Sequence, residues 1–171
     1  MQVPLLDLKA QYATLKNEIM AAISEVLDSQ QCIGGPKVAQ LEKDIAAYSG
    51  CKFAVGVSSG TDAILSSLMS LSIGAGDEVI TTSFTYVATC EVIALLKLKP
   101  VLVEVNPDTF TIDPAAFEKA ITPKTVAVVP VHLFGQCADM DEVMRIAVKH
   151  NLKVIEDTAQ AIGADYKMND G

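Results

Sequence analysis

Four short stretches of this chain carry residues able to do chemistry, and each lies just after a run of apolar residues. The first is Ser58-Ser59-Gly60-Thr61-Asp62. Small residues at a helix start leave backbone N–H groups free beside the positive end of the helix dipole, which suits an anion, and Thr61 adds a hydroxyl. The same residues read equally well as an ordinary N-cap, with Ser59 or Asp62 serving the helix. The second stretch, Ser83-Phe84-Thr85-Tyr86, offers an aromatic that can stack on a planar ligand or simply pack at a helix start. In the third, His132-Leu133-Phe134-Gly135, the imidazole of His132 suits an acid, a base, a cofactor contact or a hydrogen-bonded structural histidine. The fourth is Asp157-Thr158-Ala159-Gln160. A carboxylate that follows Val-Ile-Glu at a strand end is costly to bury without a partner, unless Asp157 caps a following helix. Its neighbour Glu156 should point to the opposite side if the strand continues.

Taken together these are a phosphate cradle, a flat stacking surface and a carboxylate on one edge. That set fits a phosphorylated, aromatic, nitrogen-containing cofactor, and pyridoxal 5'-phosphate meets the description. A carboxylate at the pyridine nitrogen keeps that nitrogen protonated, so that the ring can draw electrons from a substrate carbanion.

The elements that must position these residues alternate. Residues 14–28 carry Leu15, Ile19, Ala22, Ile23, Val26 and Leu27 at helical spacing, with Thr14 as the expected cap. A second helix follows Gly34-Gly35-Pro36, with Val38, Leu41, Ile45 and Ala46 on one face and Gly50 closing it. From there strands are expected at 52–57, 78–82, 100–105, 125–131 and 152–157. Helices are expected at 60–71, 85–97, from Asp113-Pro114 to about Ile121, and at 139–150. Near-continuous Val/Ile strands between helices predict an α/β fold, a largely parallel sheet covered on both faces in three αβα layers. Ligands in such sheets collect beyond the carboxyl ends of the strands, which is where the four stretches fall. The final residues, ending on Asn169-Asp170-Gly171, read as a turn rather than a closing helix, which predicts a chain cut short.

Composition narrows the function. The chain has 171 residues, half of them apolar, which suits one domain with a real core. A net charge of −8, with Arg145 as the lone arginine and no basic stripe, excludes nucleic acid as a natural partner. Cys32, Cys51, Cys90 and Cys137 form no CxxC pair, so buried reduced thiols are expected and no metal site. Asp7 and Lys9 interrupt any signal-peptide core, and no apolar run approaches the length of a membrane span, so a cytoplasmic protein is expected. A nicotinamide-binding domain is disfavoured because no GxGxxG follows a strand.

Six blocks, in order, give the chain a family likeness. LLDLKAQY (5–12), QCIGGPKVAQLE (31–42), VGVSSGTDAI (55–64), GAGDEVITTSFTYVAT (74–89), ITPKTVAVVPVHLFGQCADMD (121–141) and VIEDTAQAIGA (154–164) span essentially all of it. The chain resembles the DegT/DnrJ/EryC1/StrS sugar aminotransferases, pyridoxal-phosphate enzymes of fold type I. The resemblance implies that Gly60 and Thr61 bind the cofactor phosphate, that Tyr86 stacks on the ring, that Asp157 pairs with the ring nitrogen and that Gln160 approaches the ring hydroxyl. His132 lies in the Pro-Val-His-Leu block without an assigned role. The family's Schiff-base lysine belongs to a Ser-Phe-Phe-Pro-Ser-Lys segment further on, which is absent here. Lys167 is the nearest lysine after Gln160 but sits in what reads as a surface turn.

Residues 1–171 are therefore expected to be a partial large domain, without the catalytic lysine and without the small C-terminal domain. Such a piece should not transaminate and should tend to aggregate. For the parent protein the resemblance implies amino transfer, usually from glutamate, to a keto group on a nucleotide-linked sugar, 3-keto rather than 4-keto, by a homodimer. The rivals are a sugar dehydratase of the same family, with another residue in place of the lysine, and a non-catalytic regulatory or remnant protein.

Overall fold

The computed structural model describes residues 5–169, so Met1 to Pro4 of the opening and Asp170 and Gly171 of the closing turn lie outside them. The chain divides into two compact units, Met1–Gly56 and Val57–Gly171.

The first unit holds two helices, α1 (Leu8–Ser29) and α2 (Pro36–Tyr48). α1 starts earlier than its apolar spacing predicts, because Asp7 caps it by accepting the Ala10 N–H at 3.0 Å. Thr14 does not cap the helix. It lies inside α1, and its hydroxyl donates back to the Gln11 carbonyl. Pro36 sits in the first turn of α2, where a missing N–H costs nothing. A Cβ on Gly35 would come within 2.2 Å of the Gln31 carbonyl oxygen, so the turn between the helices requires glycine there. Gly50, at φ 63°, ends α2 as expected.

Two further expectations fail in this unit. Residues 52–57 do not form a strand. Their alternation is correct for one, but a strand exists only with a neighbour to share its N–H and C=O groups, and none lies beside this segment among the described residues. Phe53 and Val55 are accordingly 75% and 79% exposed. The thiols also differ from expectation: Cys32 and Cys51 are exposed, and Cys90 and Cys137 in the second unit are only partly covered.

The second unit is the expected α/β frame. Its elements run α3 (Gly60–Met69), β1 (Glu78–Thr82), α4 (Ala88–Leu95), β2 (Lys99–Val103), α5 (Pro114–Ala120), β3 (Thr125–Val129), α6 (Met140–Lys149) and β4 (Lys153–Val154). The four strands pair in the order β2-β1-β3-β4, all parallel. Side chains alternate across the sheet. Ile80 and Val128 face Phe117 of α5 and Val143 and Ile146 of α6. Val79, Ala127 and Val129 face Ile64 and Leu68 of α3 and Val92 and Ile93 of α4. Two cores sandwich one sheet, which is the three-layer arrangement. Asp113 and Asp139 cap α5 and α6 through the Ala115 and Glu142 N–H groups.

Several elements are shorter than their apolar runs. β3 stops at Val129 rather than residue 131, and β4 holds only Lys153 and Val154. Beyond them the two chains touch once more, as a parallel bridge between Val131 and Asp157. α4 begins at Ala88, which leaves Thr85 and Tyr86 in the loop before it.

Candidate functional site

The chain goes from β1 outward to β2, then returns past β1 to β3 and on to β4. Connections therefore leave β1 and β3 in opposite directions, and the carboxyl ends of these two neighbouring strands flank a switch point, where α/β sheets open a crevice. All four singled-out stretches lie along this edge or at the start of α3.

At α3 the N-cap reading is the one observed. Ser59 is the N-cap: its Oγ accepts the Asp62 N–H at 3.1 Å. The Asp62 carboxylate is in turn occupied by the hydroxyls of Ser58 and Ser59. Capping uses the Asp62 N–H, so the N–H groups of Gly60 and Thr61 keep no protein acceptor among the described residues. No atom lies within 4 Å of where a Gly60 Cβ would stand, so the approach to these donors is open.

Opposite lies Asp157. Its carboxylate accepts the Thr89 hydroxyl of α4 at 2.9 Å and the Ala159 N–H at 3.2 Å. The second bond makes an Asx turn rather than a helix cap, since no helix follows among the described residues. Gly60, Ala63, Ile64 and Ser67 of α3 and Ile155 to Ala159 line one cleft of ≈ 210 Å³. Gly60 at the start of α3 and Asp157 thus share a cavity, which Thr61 does not line.

Tyr86 and Gln160 are on the same edge but do not line that cleft. Tyr86 is 74% exposed. The packing alternative falls instead to Phe84, whose ring lies 5.7 Å from that of Phe110, which in turn meets Phe134 edge-on at 6.1 Å. Gln160 accepts the Phe134 N–H on Oε1 at 2.8 Å, which turns its Nε2 donors outward. His132 is almost wholly buried and bonds to Glu156. That bond, ahead of the opposing effect of burial, holds the Glu156 carboxyl below the usual carboxylate range. Lys167 is exposed on an irregular segment, as expected.

Sequence reasoning missed Thr89 and the Phe134–Gln160 bond. Thr89 did leave a trace: it is the polar residue on the α4 face that carries Val92 and Ile93, at helical spacing. A larger cleft of ≈ 410 Å³ lies elsewhere, between Asn106, Gln136, Asp139, Asp141 and Tyr166. Its polar groups bond mainly to one another, and it includes none of the five residues singled out for the cofactor.

What this edge offers chemically is backbone N–H donors at the start of α3 and a carboxylate acceptor at Asp157. The sequence profile of the DegT/DnrJ/EryC1/StrS aminotransferases matches residues 13–170. The chain belongs to that family. Its members depend on pyridoxal 5'-phosphate. A "pleiotropic regulatory protein" of Geobacillus stearothermophilus is 54% identical over 97% of this chain and 45% of its own length. The UDP-2-acetamido-2-deoxy-3-oxo-D-glucuronate aminotransferase of Pseudomonas aeruginosa is 49% identical over 96% of this chain and 46% of its own. The solved structure of Streptomyces venezuelae DesV in complex with a ketimine intermediate superposes with a TM-score of 0.92, at 48% identity, over 95% of this chain and 44% of that one. The chain thus spans less than half the length of these relatives.

Proposed function

We propose that residues 1–171 are part of the large domain of a pyridoxal-phosphate-dependent aminotransferase. It moves an amino group, from glutamate, onto the keto group of a nucleotide-linked sugar. The carrying observation is the shared cleft: Gly60, whose N–H has no protein acceptor among the described residues, and Asp157 line one cavity beyond the strand ends, and the N–H of the adjoining Thr61 is likewise without an acceptor among them. These residues fit the cofactor's chemistry. Gly60 and Thr61 bind the phosphate through backbone donors and the Thr61 hydroxyl. Asp157 holds the proton on the ring nitrogen, and Thr89 and the Ala159 N–H orient the carboxylate for that task. Tyr86 covers one face of the ring. Gln160, whose Oε1 accepts the Phe134 N–H, keeps its Nε2 donors, which suits the ring's phenolic oxygen. When bound, the protonated ring supplies the electron sink for amino transfer.

The 3-oxo group in the name of the Pseudomonas relative supports a 3-keto sugar. The family resemblance supports a homodimer working in the cytoplasm, with the lysine segment and the small domain belonging to the rest of the protein. The name of the Geobacillus relative favours one other reading, a regulatory protein built on the same frame.

The deciding experiment uses the complete protein that carries this chain. Mixed with pyridoxal phosphate, it should develop a protein-bound absorbance band. It should then convert glutamate and a 3-keto nucleotide sugar to 2-oxoglutarate and the amino sugar. Asp157→Asn should lower kcat by about a hundredfold or more, as loss of a preorganised electrostatic contact does. Failure of the wild type to take up the cofactor would replace this reading with the regulatory one.

A further inference from the structure

His132 follows β3 and is 2% exposed. Both ring nitrogens are engaged. Nδ1 accepts the Ala138 N–H at 3.1 Å, so it carries no proton. The proton is therefore on Nε2, which donates to Glu156 Oε2 at 2.8 Å. The backbone of the same residue donates its N–H to the Asp157 carbonyl at 3.0 Å, and the Asp157 N–H donates to the Pro130 carbonyl at 2.9 Å. Two residues after His132, Phe134 supplies the N–H that fixes the Gln160 amide. The imidazole thus ties the end of β3 to the loop at Ala138 and to Glu156, while main-chain bonds hold Asp157 and the Phe134 N–H holds Gln160 on either side.

Packing alone does not require this arrangement. An apolar side chain fills such a site at lower desolvation cost than an imidazole that must find two partners. Glu156 is half-exposed and lines the cleft with Asp157, so its carboxylate is not needed to complete a core.

We propose that His132 and Glu156 form a positioning pair that holds the Asp157 carboxylate and the Gln160 amide where they would meet the cofactor's ring nitrogen and ring hydroxyl. The inference rests on the functional reading above and assigns both residues a task in it. Neither is assigned a contact with the reacting atoms. They act by holding the residues on either side of them.

The test compares wild type, Glu156→Gln, Glu156→Leu and Asp157→Asn in the complete protein, loaded with pyridoxal phosphate labelled with nitrogen-15 in the ring. Glutamine still accepts the Nε2 proton, so Glu156→Gln should keep the cofactor affinity and the ring-nitrogen signal of the wild type. Leucine leaves Nε2–H unpaired, so Glu156→Leu should weaken cofactor binding by about tenfold or more and move the ring-nitrogen signal part of the way toward that of Asp157→Asn. The His132 nitrogens of the wild type should show a proton on Nε2 and none on Nδ1. Glu156→Leu indistinguishable from wild type in both affinity and signal, or a wild-type His132 protonated on Nδ1, overturns the inference while the functional reading stands. A wild type without bound cofactor, or Asp157→Asn with an unmoved ring-nitrogen signal, overturns that reading and the inference with it.

Discussion

Glu78 places a carboxylate at the amino end of β1, at the opposite edge of the sheet from the site, and only 4% of the residue is exposed. Lys99 of β2 donates to Oε1 at 2.8 Å, and Thr122 and Thr125 donate to Oε2 at 2.5 and 3.4 Å. Chiefly through the Lys99 and then the Thr122 bond, its pKa lies below the ordinary 4.5. The folded state then binds the proton more weakly than the unfolded chain. Glu78 contributes its full stabilisation above the ordinary value, and that contribution is lost as pH falls through the lower folded value. Glu78→Gln should therefore flatten the acid limb of stability, seen as urea midpoints that change less than wild type below about pH 4.5. An unchanged limb would place the acid sensitivity elsewhere. At this scale the sequence was informative about Asp157, because a carboxylate closing a Val-Ile run needs a partner. It was silent on which partner, because Thr89 stands 68 residues away and meets it only once the sheet has formed.

Elements were legible where a hydrophobic run also had neighbours. β1 is buried on both faces, and its β-branched residues from Val79 to Thr82 mark it correctly. The segment 52–57 has an equally good pattern and no partner among the described residues, so pattern without pairing produced a false strand. The overlong readings of β3 and β4 have the same cause: Val131 and Asp157 are extended, yet meet in a single bridge rather than a ladder. Hydrogen exchange on this chain separates the two cases. Amides of residues 53–57 should exchange early, with the Gly56 N–H slowed only by its bond to Glu42, while Ile80 and Thr81 should exchange last. Protection of 53–57 equal to that of β1 would mean that the segment is paired after all.

At the scale of the whole molecule, alternation of strands and helices foretold three layers, and two separate cores on the two faces of one sheet follow from it. Phe117 is wholly buried in one core and Leu68 in the other. Phe117→Ala should cost about 3–5 kcal/mol and Leu68→Ala about 2–5 kcal/mol. Each should lower a single unfolding transition of the second unit, because both cores rest on the same strands. Two transitions that respond separately would show the faces melting independently. The division into two compact units was not read from the sequence, because Gly56, Ser58, Ser59 and Gly60 at the boundary read as the end of a strand and the start of a helix rather than as a linker. One feature of the frame reaches beyond any single residue. Asp157 is held to the end of β3 by main-chain atoms on both sides, through Pro130 and His132. A substitution at 157 exchanges the head group but not its address. The site is in this sense a socket: descent or design can fit a different side chain there and inherit the placement, whereas a one-residue insertion in the turn before β4 would misplace Asp157 and Gln160 together.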